Sequence, residues 1–289
     1  MKLLNQRLKR IKSSYYLLVL GLLFSLFVFF NHERLFMEFD ADVVTRYLRS
    51  QDILDEENKI KDRIFVSDEE IYIASGYLYA NGEDPIRYNF QHPPLVKYLF
   101  GLSAKYLDWP LFPNILFAGI LLIEIYTLGI LVFKSNLVGF IASALLLIDP
   151  VFREVTTYAL LDLGQIVFLL GFLVLSLSKR SNAIFQGILL GLAMASKFYS
   201  PVIMFLGLIY LYKLLNKSLV VKHELLVLLF ALLTFSLCYF KAWPFNIFFE
   251  QAKIIKFMLD HNQAVEWGGV MKIFFGSFFH WPILFFVDL

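Results

Sequence analysis

Asp68 and Glu69 head a run of three acids, and a carboxylate so placed can take a proton from an attacking hydroxyl. His92 and Lys97, in Gln91-His92-Pro93-Pro94-Leu95-Val96-Lys97, carry donors suited to a phosphate, as does Lys197 in a short break between apolar stretches. Asp162 stands at the head of another apolar run, and Asp40-Ala41-Asp42 offers a rival pair of carboxylates for sugar hydroxyls or a metal ion. Each has a plainer reading. Acids at a helix start favour its dipole, so Asp68-Glu69-Glu70 also reads as a helix N-terminus. Asp40 and Asp42 fit a solvated helix face, and His92 fits a packed loop. Lys97 and Lys197 fit snorkelling stems, and Asp162 fits an N-terminal cap. Glu124 and His280 fall inside apolar runs, where a hydrogen bond between helices competes with a functional role. The one Cys, Cys238, excludes a disulfide scaffold, and no Cys/His cluster suggests a metal site. No cofactor and no metal are expected, although a cation at the carboxylates stays open.

The elements that must position these residues are strongly apolar. Of 289 residues, 59% are hydrophobic, 18% aromatic and only 17% charged, with a mean hydropathy of +0.67. Soluble domains carry about 25% charged residues, and 32 Phe exceed what one soluble core of this size hides. A net charge of +2 is too weak for a nucleic-acid partner. The lipid bilayer is therefore the expected solvent, with the aromatic excess read as lipid-facing bulk and an interface belt.

A span needs about 20 largely apolar residues. Residues 13–31 carry no charge and follow Lys2, Arg7, Lys9, Arg10 and Lys12. No small-x-small cleavage pattern comes after them, so an uncleaved first span is expected. Apolar segments resume at 111–133, 137–148, 163–178, 183–196, 198–212, 225–240 and 273–287, several of them short. A single helix over 183–215 would run roughly 50 Å. It would also hold Lys197 near mid-membrane at a cost of about 2.5–3.5 kcal/mol. A turn over 196–201, with Pro201 opening the second helix, removes both problems. Threading eight spans from a cytoplasmic amino terminus puts the basic start, Lys134, Lys179–Arg180, and Lys213, Lys217 and Lys222 on the cytoplasmic side, as the positive-inside rule requires.

The chain then divides into a basic start and first span (1–31), an extracytoplasmic loop (32–110), and the remaining transmembrane bundle (111–289) with an outer loop near 241–272. Residues 31–92 hold 14 of the 24 acids and seven basic residues. Residues 36–53 and 69–80 read as amphipathic helices. Asn81-Gly82-Glu83-Asp84-Pro85 reads as a turn, and 98–107 as an interfacial segment or the start of the second span. With this threading the carboxylates, His92, Lys97 and Lys197 share the outer face. A site fed from within the bilayer and open to the outside would look like this.

Asp68-Glu69, Tyr72, an Asn-Gly turn and His92-Pro93-Pro94-Leu95 with Lys97 resemble the first outer loop of the protein O-mannosyltransferase family. That family belongs to the GT-C glycosyltransferases that use dolichyl- or polyprenyl-phosphate sugars. Leu146 to Pro150, Ala159-Leu160-Leu161-Asp162, the segment from Gly187 to Lys197, and Trp281-Pro282 resemble further pieces in the same order, so the likeness covers most of residues 60–289. The chain departs from the pattern at Val96, where Gly is usual, and in an insertion over 33–66. It also has no Arg close ahead of Ala159, Arg153 being the nearest, and the large carboxy-terminal half of many relatives is missing.

The resemblance implies an all-α integral membrane protein, a GT-C-like bundle of about eight transmembrane helices with a long amphipathic outer loop. It implies inverting transfer of a sugar, mannose in the family's name, from a polyprenyl phosphate to a protein or glycan hydroxyl at the outer face of the cell membrane. Asp68 holds the catalytic position, with Glu69 beside it for acceptor or sugar hydroxyls. His92, Lys97, Asp162 and Lys197 are the expected substrate-binding residues. Two rivals stand beside this reading: a transporter or flippase, and a non-catalytic truncated relative that binds carrier lipid or a partner enzyme.

Overall fold

The first apolar run forms one long helix, α1 (Lys2–Phe30), whose Leu18, Leu22, Leu26 and Phe30 point outward as they would into lipid. The computed structural model describes residues 2–50, 63–178, 182–218 and 220–240, which form twelve helices and no sheet. The expected span over 273–287, the outer loop over 241–272, His280, Trp281-Pro282 and Lys179–Arg180 lie outside the described residues.

After α1 come α2 (His32–Leu35), α3 (Asp42–Leu48), α4 (Asp68–Ala80) and α5 (Leu95–Leu107). These belong to the expected outer loop. The amphipathic helix read over 36–53 shrinks to α3. Residues 36–40 are drawn into tertiary contacts instead: Phe36 stacks on Trp109 and Phe39 on Tyr77. The helix read over 69–80 is present, but it is not amphipathic. Ile71, Tyr72, Ile73, Ala74, Ser75 and Gly76 are all buried in succession, so α4 is enclosed on every side. At its crossing with α5, Gly76 meets the backbone of Lys97 and Gly101 meets the backbone of Gly76, so neither has room for a Cβ.

The apolar helices follow in the expected order. They are α6 (Phe112–Phe133), α7 (Asn136–Leu146), α9 (Asp162–Leu177), α10 (Ala183–Ser196), α11 (Tyr199–Leu215) and α12 (Val221–Cys238), with a short polar helix, α8 (Pro150–Thr157), between α7 and α9. Asp149 caps α8, accepting from Phe152 N at 2.9 Å, and Pro150 suits its first position. The chain bends by 113° between α8 and α9. The break between α10 and α11 falls at Lys197–Phe198, as the cost of a mid-membrane lysine demands. α1, α6 and α12 are long and apolar enough to cross a membrane, or four spans if the bent pair α8–α9 makes one. α7, α10 and α11 are shorter apolar helices. This is the signature of a multi-pass membrane protein.

Among the described residues, two larger cores hold the helices together, and a smaller one around Leu20, Leu122 and Tyr126 joins α1, α6 and α7. One of the larger cores joins α3, α4, α5 and α8 to the adjoining ends of α1, α6 and α9 through Tyr47, Tyr72, Val96, Phe100, Phe117, Phe152 and Leu163. The loop helices are thus continuous with one end of the bundle. The other core packs α9, α10, α11 and α12 around Phe172, Leu190, Val202 and Val227. Gly187 and Gly191, four residues apart, bring α10 into backbone contact with α12, the close approach that small residues allow between membrane helices.

Candidate active site

The first turn of α4 carries three carboxylates, and the fold treats each differently. Ser67 and Glu70 form a capping box: the Ser67 hydroxyl accepts from Glu70 N at 3.4 Å, and Ser67 N donates to Glu70 Oε2 at 3.1 Å. Arg46 Nε also donates to Glu70 Oε1 at 3.0 Å. Glu69 has both oxygens engaged. Oε1 accepts from Ala159 N at 3.0 Å, and Oε2 pairs with the Arg34 guanidinium. Glu69 was expected to be available to acceptor or sugar hydroxyls; here it ties α4 to the segment ahead of Asp162. Asp68 is exposed and has no hydrogen-bond or ion partner among the described residues.

Arg34 was not singled out from the sequence. Its guanidinium lies 4.5 Å over the ring of Tyr158, which is 45% exposed. A guanidinium therefore does stand beside the residues just ahead of Ala159, but it comes from α2, just after the first apolar helix. The same segment is fixed from below by Asn114 of α6. This fully buried side chain donates to Thr156 O at 3.0 Å and Tyr158 O at 2.7 Å.

Asp162 opens α9 without capping it; the N-cap is Leu161, which makes no side-chain cap bond. Its carboxylate instead faces Lys197, whose Nζ lies 2.7 Å from both Oδ1 and Oδ2. One helical turn on, Gln165 Nε2 donates to Phe198 O at 2.7 Å and Ala193 O at 3.2 Å. Asp162 and Gln165 together hold the α10–α11 break, and that is what points Lys197 at α9.

His92 lies against the same break. Its ring packs 4.5 Å from that of Phe198 and edge-on to Tyr72 at 5.5 Å, and its Nδ1 is buried with no partner among the described residues. Burial, then the ammonium groups of Lys97 and Lys197, push its pKa down to about 3. His92 is therefore neutral at ordinary pH and offers a hydrogen bond rather than a charge.

Lys97 departs from both of its sequence readings. It is fully buried, so it does not snorkel, and its ammonium is directed into the loop behind His92 rather than toward a ligand. Nζ lies 2.7 Å from Asn89 O, 2.8 Å from His92 O, 3.0 Å from Asn89 Oδ1 and 3.1 Å from Tyr79 Oη. These acceptors exhaust its donors, and the role they define is that of a clamp on the turn carrying His92.

Asp40 and Asp42 take no part in this cluster. Asp40 accepts from Asp42 N at 2.9 Å and pairs with Arg46 at 3.0 Å, and its carboxyl is held below the usual range by the Arg46 hydrogen bond and then that of Asp42 N. Side chains of Asp, Glu, His and Cys form no metal-holding group among the described residues. Glu124, read as a helix-to-helix hydrogen bond, packs against Gly171 of α9 with Oε2 buried and unpartnered. At the same end as Arg34, a groove of about 380 Å³ lies between α1, α7 and α8. Leu23, Phe27, Phe30 and Leu147 line it, with Asn31 and Arg153 joined at its rim by a 2.8 Å hydrogen bond.

α4's first turn, the Tyr158–Asp162 segment, His92 and Lys197 thus meet through direct contacts at one end of the bundle. Comparison with protein-family models, with curated proteins and with solved structures finds no match to this chain.

Proposed function

We propose that this chain is a membrane glycosyltransferase of the GT-C type, moving a sugar from a polyprenyl phosphate to an acceptor hydroxyl with Asp68 as general base. The observation that carries the reading is the contrast among three consecutive acids: Glu69 and Glu70 are bound into the frame, while Asp68 projects from that frame with no partner among the described residues. A general base must be held in position yet have a lone pair free for the substrate's proton.

In the proposed step the acceptor oxygen attacks the anomeric carbon and its proton passes to Asp68. The bond from that carbon to the phosphate oxygen breaks, and the electron pair leaves with the phosphate. Two of the three Lys197 N–H groups serve Asp162, and the third faces the growing charge on the phosphate. His92 supplies a neutral hydrogen bond, and the groove beside Arg153 gives an apolar path for the first prenyl units. The chain crosses the membrane eight times in this reading, with both termini in the cytoplasm and the site on the outer face. The basic connections at Lys134 and at Lys213, Lys217 and Lys222 support that direction.

Asp68→Asn tests the proposal. A catalyst loses transfer and still binds donor lipid; a non-catalytic lipid-binding relative shows no transfer to lose.

A further inference from the structure

Away from α4, helices α9, α10, α11 and α12 line a second, half-open cavity of about 550 Å³. The two places are separated by the length of α11. The candidate active site borders its first turn at Phe198, and the cavity borders its last turn at Lys213, roughly 20 Å away along the axis. Leu173, Leu177, Leu208 and Ile209 make the walls apolar.

Polar groups sit at two levels in this cavity. Gln186 of α10 lines it, is only 1% exposed, and has neither amide atom hydrogen-bonded among the described residues. Native interiors rarely leave such a group unsatisfied. Near the α11–α12 connection, Lys213 Nζ lies 2.7 Å from Glu224 Oε1, and His223 Nδ1 lies 3.4 Å from the same oxygen. Glu224 is 7% exposed; among the described residues neither its other oxygen, Oε2, nor His223 Nε2 has a well-formed hydrogen bond, and the Tyr210 hydroxyl, itself buried without one, stands close to Glu224. One cavity therefore collects an unmet carboxylate acceptor, an unmet ring nitrogen and an unmet primary amide, above an apolar wall.

The ligand these groups select has a cation with N–H donors for Glu224 Oε2 and His223 Nε2, and an anion for Lys213. It also has an ester or hydroxyl for Gln186, and chains for the leucines. We propose that this cavity binds a zwitterionic phospholipid whose headgroup ends in a primary ammonium. A trimethylammonium headgroup carries the same charge but has no N–H to give Glu224 Oε2. An anionic headgroup leaves that oxygen unmet and is repelled by it.

The test uses the full-length protein, stripped of lipid in detergent and titrated separately with dioleoyl phosphatidylethanolamine, phosphatidylcholine and phosphatidylglycerol. Bound lipid is counted by native mass spectrometry. Wild type should hold phosphatidylethanolamine about tenfold more tightly than the other two, the worth of one hydrogen bond to a charged group. Glu224→Gln should bring that preference to within about twofold. Gln186→Leu should weaken phosphatidylethanolamine retention while raising the melting temperature of the lipid-free protein, which shows the variant folded. Equal binding of ethanolamine and choline lipids by wild type, a preference for phosphatidylglycerol, or undiminished retention by Gln186→Leu would each overturn the proposal.

Discussion

Lys97 and Asp68 are both charged residues of the outer loop, and the fold uses them in opposite ways. The lysine is enclosed and saturated with acceptors, while the aspartate is exposed and has no hydrogen-bond or ion partner among the described residues. Lys97→Met leaves Asn89 O, Asn89 Oδ1 and His92 O without their donor. It should lower the unfolding free energy by about 2–5 kcal/mol, read as a fall in denaturation midpoint in detergent; an unchanged midpoint would deny the clamp. His92 gives a pH signature. Its pKa is about 3 in the fold against 6.5 ordinarily, so between those values the unfolded chain binds more protons. This contribution is complete above pH 6.5 and is lost as pH falls toward 3. His92→Phe should flatten that part of the stability profile, and an unaltered acid limb would show that the ring is not the cause. Residue types alone identified Asp68, His92, Asp162 and Lys197 as candidates. They did not reveal Arg34, Asn114 or Gln165, whose partners lie 35, 42 and 33 residues away, beyond any local spacing.

Elements were legible where local energetics dominate. The break at Lys197 follows from a charge that a straight helix would bury in lipid, whereas α5, read over 98–107, begins earlier, at Leu95, with Pro94 as its N-cap, because proline is tolerated at the N-terminal edge of a helix. α3 was overestimated because Phe36 and Phe39 go to Trp109 and Tyr77, partners that no periodicity within 36–53 can announce. The enclosure of α4 depends on its crossing with α5, where Gly76 and Gly101 interleave backbones. Gly76→Ala forces the two helices apart, and α4 carries Asp68 at its head. The variant should lose about 1–3 kcal/mol of stability and lose transfer with it, although residue 76 lies two turns from the acid. A Gly76→Ala protein with wild-type unfolding would show that the crossing is looser than described.

Across the whole molecule, composition indicated a membrane solvent, and the order of seven apolar helices matches the apolar runs of the sequence. The number of crossings was harder to read, because α7, α10 and α11 are too short to declare themselves by length. Sidedness can be measured. In a Cys238→Ser background, Ser67→Cys and Ser218→Cys should react with an impermeant thiol reagent from opposite faces of sealed vesicles, and reaction from one face would break the proposed threading. The central claim is that Asp68 takes the acceptor's proton. Its most direct measurement is transfer of labelled sugar from a polyprenyl phosphate by the full-length protein, with donor retention followed in parallel. Asp68→Asn should lower kcat by about 10²–10⁴-fold, the usual worth of a general base, and leave donor retention unchanged. An Asp68→Asn protein that transfers at the wild-type rate would contradict the account.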